Sequence, residues 1–178
     1  MPIHLHRQLR QHACQCSRLL LCTKGEPFTY RCINRLDRDT TGLLILAKHM
    51  YSASLLSDMV KNRKIHREYL AVAEGKTPSS GVIDAPIGRV DGSTIERQVD
   101  YEQGDYACTH YKRLCYKNGY SLVSLTLKTG RTHQIRVHMA HIGCPLYNDN
   151  LYGTPGPQSR HALHAYYLAL TILQPVFF

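Results

Sequence analysis

The residues best able to do chemistry stand together in Asn34-Arg35-Leu36-Asp37-Arg38-Asp39-Thr40-Thr41-Gly42. Asp37 has Arg35 and Arg38 close by in sequence and two hydroxyls following. Flanking cations favour the ionised carboxylate, the form that a nucleophile or base must hold at neutral pH. The plainer reading is a surface loop whose Asp37 caps a turn and pairs with an arginine. A second dense stretch runs from Thr129 to His138, where Arg131, Thr132, His133, Gln134 and Arg136 crowd the start of a helix. A helix N-terminus with two arginines suits an anion, either a phosphate or a carboxylate from elsewhere in the chain. A capped helix with solvated basic residues is the alternative. Lys61, Arg63, Lys64, His66 and Arg67 form a third cluster. His4, His6, His12, Cys14, Cys16 and Cys22 form a fourth, with side chains that can bind zinc. Its single Cys-x-Cys lacks the paired spacing of zinc sites, so no metal site is expected.

The elements that must position these groups are legible in part. Leu43-Leu44-Ile45-Leu46-Ala47 is an apolar run bounded by Gly42 and Lys48, which predicts a strand buried on both faces. A site at the mouth of such an element would be held rigidly. Leu55, Leu56, Met59 and Val60 recur at helical spacing and predict a helix over about 52–62. Tyr69 to Ala73 reads as the next strand. Between Val82 and Tyr116 short strand-like pieces are split by Asp91-Gly92 and Gln103-Gly104-Asp105. Lys117-Asn118-Gly119 predicts a hairpin turn into Tyr120–Lys128, where Val123, Leu125 and Leu127 alternate with Ser124 and Thr126. Ile135, Met139 and Ile142 share one helical face, and Gly143 with Pro145 stops that helix. Strands scattered among few helices and joined by hairpins imply an α+β fold with a mainly antiparallel sheet.

A chain of 178 residues with 43% hydrophobic and 20% charged residues is long enough for one domain with a sizeable core. Its net charge of +9 favours polyanionic partners such as nucleic acid. No stretch approaches the ~20 apolar residues needed to cross a bilayer, so a cytoplasmic address and no membrane partner are expected. The seven cysteines are odd in number and form no even framework, which argues against a disulfide scaffold.

Taken together, these segments resemble the RluA family of RNA pseudouridine synthases. Arg-Leu-Asp-Arg-Asp-Thr-Thr-Gly-Leu-Leu-Ile-Leu-Ala-Lys, 35–48, is similar to that family's catalytic motif. Gly-Arg-Thr-His-Gln-Ile-Arg-Val-His, 130–138, is similar to its arginine motif. His66-Arg67-Glu68-Tyr69-Leu70 resembles its Lys/Arg-x-Tyr strand, and Leu151-Tyr152-Gly153 and Leu163-His164-Ala165 resemble its closing segments. The resemblance implies the pseudouridine synthase catalytic fold, a mixed and mainly antiparallel sheet flanked by helices around a central cleft. It implies an isomerase in which Asp37 is the catalytic aspartate, Tyr69 the active-site tyrosine and Arg136 the arginine pairing with the aspartate. The reaction breaks the C1′–N1 bond of a uridine, rotates the uracil and rejoins it through C5, with no cofactor. The partner is structured RNA, ribosomal or transfer. A base in folded RNA must leave its stack, and Arg35 is the candidate for filling the space. Arg38, Lys61, Arg63, Lys64, Arg67, Arg131 and His133 complete the expected RNA contacts. The protein is expected to be a monomer.

Some positions depart from the family pattern. Asn34 stands where many members have His, and Thr41 where many have Ser. The upstream strands and the S4-like RNA-binding domain of many members are not recognisable, and Ile172–Phe178 stops where members continue. Residues 24–170 are family-like within a single catalytic domain of 1–178. Leu5 to Cys22 is atypical, and a shifted reading frame or other aberration there is the expectation. Translation of the coding DNA in its other two frames tests it. Two further readings stay open: a truncated RNA-binding remnant with weak or no catalysis, and a zinc-binding protein built on the N-terminal Cys/His cluster.

Overall fold

The computed structural model describes residues 29, 31–158 and 160–171. The chain divides into two compact units. One comprises Met1–Arg38 and Leu44–Lys64, the other Asp39–Leu43 and Ile65–Phe178. The atypical stretch Leu5 to Cys22, the Cys/His cluster within it and the tail Ile172–Phe178 lie outside the described residues.

In chain order the elements are β1 (Thr41–Gly42), α1 (Met50–Lys61), β2 (Ile65–Glu74), β3 (Ser80–Asp84), β4 (Ile87–Arg89) and β5 (Arg97–Val99). They continue with β6 (Cys108–Lys117), β7 (Tyr120–Leu127), α2 (Gln134–His141) and β8 (Leu163–Leu170). Every strand among the described residues belongs to the larger unit. Six of them form one sheet in the order β1-β8-β2-β7-β6-β3, and β4 pairs with β5 separately. Among the described residues only β1 and β8 run parallel. The sheet is therefore mixed and mainly antiparallel, as expected for this α+β class.

Strand alternation builds the core. Ile65, Tyr69, Ala71 and Ala73 of β2 are buried, and so are Ser121, Val123 and Leu125 of β7. The register sets Tyr69 between Leu125 and Ala165, and Ala71 between Val123 and Leu163. Residues of one parity thus share one buried face. Asn118 at φ 53° and Gly119 at φ 83° form the expected two-residue turn, whose paired positive φ values match the twist of the β6–β7 hairpin.

One sequence expectation needs correction. The run Leu43–Ala47 is no doubly buried strand: Leu43 is 48% exposed, and Leu44 and Leu46 are exposed too. The reason is a change of backbone partner. Leu43 N donates to Ala165 O, but Ala47 N donates to Arg31 O and Ile45 O accepts from Ile33 N. No single ladder holds the run, and only Ala47 is buried. In α2, Ile135 and Met139 are buried, and Gln134, Arg136, Val137 and His138 are buried with them. Burial of its polar side chains is tolerable because each finds a partner inside. Helix α1 spans Met50–Lys61, close to the expected 52–62. Among the described residues no helix is long and apolar enough to cross a membrane.

Candidate active site

In the smaller unit, the segment carrying Asp37 begins from a firm base. Asn34 is buried, and its Oδ1 accepts from Ile45 N at 2.7 Å. Arg31 Nη1 donates to Lys48 O at 3.0 Å, and Cys32 bridges Leu46. Asn34 thus closes the loop through its amide, a structural use that suits the absence of charge at this position. Asp37 is partly buried, while Arg35 and Arg38 are exposed. Lys61, Arg63 and Lys64 are exposed at the end of α1, where Arg63 takes the left-handed conformation at φ 57°.

In the larger unit, the residues just after this loop are laced to β8. Thr40 Oγ1 lies 2.8 Å from His161 Nε2, and Thr41 Oγ1 lies 2.7 Å from His164 Nδ1. Gly42 has φ +123°, and a Cβ there would sit 2.2 Å from Ala165 O. Only glycine fits that approach.

Tyr69 is buried in β2, one position beyond a register shift at Glu68/Tyr69. Arg67 lays its guanidinium over Gly130, so that the basic strand and the arginine motif adjoin.

The arginine motif itself is a satisfied polar core. Gln134 Oε1 accepts from Thr129 Oγ1 and from Arg131 N, at 2.8 and 2.9 Å. Its Nε2 donates to Cys108 O and Thr109 Oγ1, at 3.0 and 2.9 Å. His138 is fully buried and shares short contacts with Thr109 Oγ1 and Ala85 O, both at 2.9 Å. Burial lowers its pKa, and the neutral ring donates Nε2–H to Ala85 O and accepts at Nδ1.

Arg136 is buried and forms a bidentate pair with Asp149, Nε to Oδ2 at 2.7 Å and Nη2 to Oδ1 at 2.6 Å. Asp149 also accepts from Leu151 N and Tyr152 N. Burial pushes its carboxyl upward, but the Arg136 hydrogen bonds and charge outweigh that and hold it below the usual range. The Tyr152 ring lies 4.9 Å from the Arg136 guanidinium carbon, in cation–π reach. Tyr152 Oη accepts from Arg97 N at 2.9 Å and donates to His133 Nδ1 at 2.8 Å.

His133 is an expected RNA contact, but burial and then the Arg136 and Arg97 charges push its pKa down to about 4. It is neutral at physiological pH. His161 is likewise lowered to about 4, by burial and then by Arg136. Arg131 is exposed, with Nη1 3.2 Å from Asp105 and Nε donating to Tyr106 O.

The larger unit therefore brings together Arg136, His133, Arg67 and Arg131 around one helix start, with Tyr69 in the adjoining sheet. Asp37, Arg35, Arg38, Lys61, Arg63 and Lys64 belong to the smaller unit. Sequence reasoning missed Asp149, His161 and Tyr152 as partners. Asp149 had a weak signal, a carboxylate two residues before Leu151-Tyr152-Gly153. His161 had none beyond its place before Leu163-His164-Ala165.

A family model described as RNA pseudouridylate synthase matches residues 1–141. The uncharacterised RNA pseudouridine synthase YjbO of Bacillus subtilis is 45% identical over 149 residues, 83% of this chain and 52% of its own length. Ribosomal large subunit pseudouridine synthase D of Nitrosomonas europaea is 42% identical over 149 residues, 78% of this chain and 43% of its own length. The solved structure of human RNA pseudouridylate synthase domain containing 1 superposes with a TM-score of 0.72 at 30% identity, covering 79% of this chain and 63% of that one. This chain spans about half the length of the curated relatives it matches.

Proposed function

The chain belongs to the RNA pseudouridylate synthase family, and on that premise we propose that it isomerises selected uridines of structured RNA to pseudouridine, with Asp37 as its catalytic carboxylate. The observation that carries the reading is the match over 1–141, which takes in the Asp37, Tyr69 and Arg136 motifs together. Asp37 attacks C1′ of the uridine or removes a ribose proton, and either route breaks the C1′–N1 bond and frees the uracil from C1′. The uracil turns and rejoins through C5. Tyr69 offers a face for the uracil and a hydroxyl that relays the C5 proton. Arg136 supplies the positive charge that keeps a carboxylate ionised in a buried setting. Carboxylate, phenol and guanidinium carry these steps, so the reading calls on no metal or organic cofactor.

The RNA is ribosomal or transfer RNA, recognised by shape as much as by sequence. Arg35 fills the space that the target base leaves. Arg38, Lys61, Arg63 and Lys64 hold phosphates, a role their exposure supports. Arg67 and Arg131 add cationic contacts beside the arginine motif, and His133 a neutral hydrogen bond.

Tritium release from RNA carrying 5-tritiated uridine tests the reaction. Release by the wild type, lost in Asp37→Ala and Asp37→Asn with RNA binding retained, is the expected result. RNA binding without release by the wild type would leave the remnant reading standing instead.

A further inference from the structure

The hydroxyls of Thr40 and Thr41 follow Asp37 by three and four residues, and neither has a role in the chemistry above. Both are held by histidines of one short segment. Thr40 Oγ1 meets His161 Nε2 at 2.8 Å, and Thr41 Oγ1 meets His164 Nδ1 at 2.7 Å. Thr41 also donates to Leu163 O at 3.4 Å. Backbone pairing runs alongside: Thr41 opposes His164, Gly42 opposes Ala165, and Leu43 N donates to Ala165 O at 2.9 Å. β1 is only two residues long. So short a strand has little ladder of its own, and the side-chain bonds are a large part of what holds it.

We propose that His161 is a positioning residue: its hydrogen bond to Thr40 fixes the backbone that follows Asp37, and His164 repeats the device one residue on through Thr41. This inference rests on the reading of Asp37 as the catalytic carboxylate. Only three Cα–Cα steps of about 3.8 Å separate Asp37 from the Thr40 anchor, so the chain allows the carboxylate little reach from that fixed point. A misplacement of ~1 Å at a reacting group can cost about a hundredfold in rate. His161 suits a fixed latch. It is buried, and it remains neutral in the field of Arg136, Asp149 and Asp39, so the bond to Thr40 persists across the physiological range.

The test uses the full chain and the variants Thr40→Val, Thr40→Ser, His161→Leu and Thr40→Val/His161→Leu, with two readouts. The first is amide hydrogen exchange at Leu43, referenced to the β2–β7 amides of the same sample. Losing one hydrogen bond is expected to speed Leu43 exchange about three- to tenfold in Thr40→Val and in His161→Leu, with the β2–β7 amides unchanged. The second is tritium release, where kcat falls about tenfold or more at unchanged KM. Thr40→Ser restores both readouts, and the double variant is no worse than either single one, because both singles break one bond. Leu43 exchange equal to wild type in both singles, or losses that multiply in the double, would overturn the latch. Asp37→Ala is measured beside them: full activity there removes the reading of Asp37, while the exchange result still decides the latch.

Discussion

Two stretches of this chain look alike as strings, each dense in Arg, Thr and other polar residues, yet they use those residues in opposite ways. In 129–138 the polar groups turn inward: Gln134, His138 and Arg136 are buried and bonded to Thr129, Thr109, Ala85 and Asp149. In 35–42 Arg35 and Arg38 face solvent, and the two threonines are tied off by histidines. The first stretch is a scaffold with one charged pair at its centre. The second is a loop with fixed ends. Motif density therefore says that a region matters and leaves open whether its side chains face substrate or core.

The contrast can be broken first at Asp37. Asp37→Ala is expected to cut tritium release by roughly a thousandfold or more while leaving the thermal midpoint near wild type, the signature of a residue that serves chemistry. A large fall in stability instead would place Asp37 with the scaffold.

At Asp149 the expectation reverses. Asp149→Asn takes the bidentate carboxylate away from buried Arg136 and should cost about 3–5 kcal/mol of stability, read by urea unfolding. The pH dependence follows from the sign of the shift. Because the folded carboxyl titrates below its usual range, its stabilisation is present above the ordinary carboxylate pKa and is lost as pH falls through the lower folded value. The gap between wild type and Asp149→Asn should therefore narrow on acidification.

His133 and His161 sharpen the same point. Both titrate near 4 when folded, against 6.5 as the ordinary value. The unfolded chain takes up protons first, so stability should fall as pH drops from about 6.5 towards 4 and level off below. Replacing His161 with Gln should flatten that limb, and an unchanged limb would show the ring to be charged in the fold.

The smallest effects belong to the surface. Lys61→Gln, Arg63→Gln and Lys64→Gln should each lower the slope of log affinity against log salt by about 0.7–0.9 if each holds a phosphate. His133→Gln should leave that slope unchanged, since a neutral ring releases no counterion.

The sequence alone determined the class, the turns and the chemistry-bearing types. Alternation in Tyr120–Leu127 and Asn118-Gly119 are local signals, and local backbone preference decides them wherever the chain lies. The aspartate and arginine motifs were likewise legible as family motifs, and the family match over 1–141 takes in both. Tertiary structure alone decided the partners. Asp149 finds Arg136 across thirteen positions, and His161 finds Thr40 across 121. The apolar run after Gly42 looks like a buried strand until its backbone changes partners at Leu43. Pairing over such separations depends on which elements the fold brings side by side, and no window of sequence contains that information.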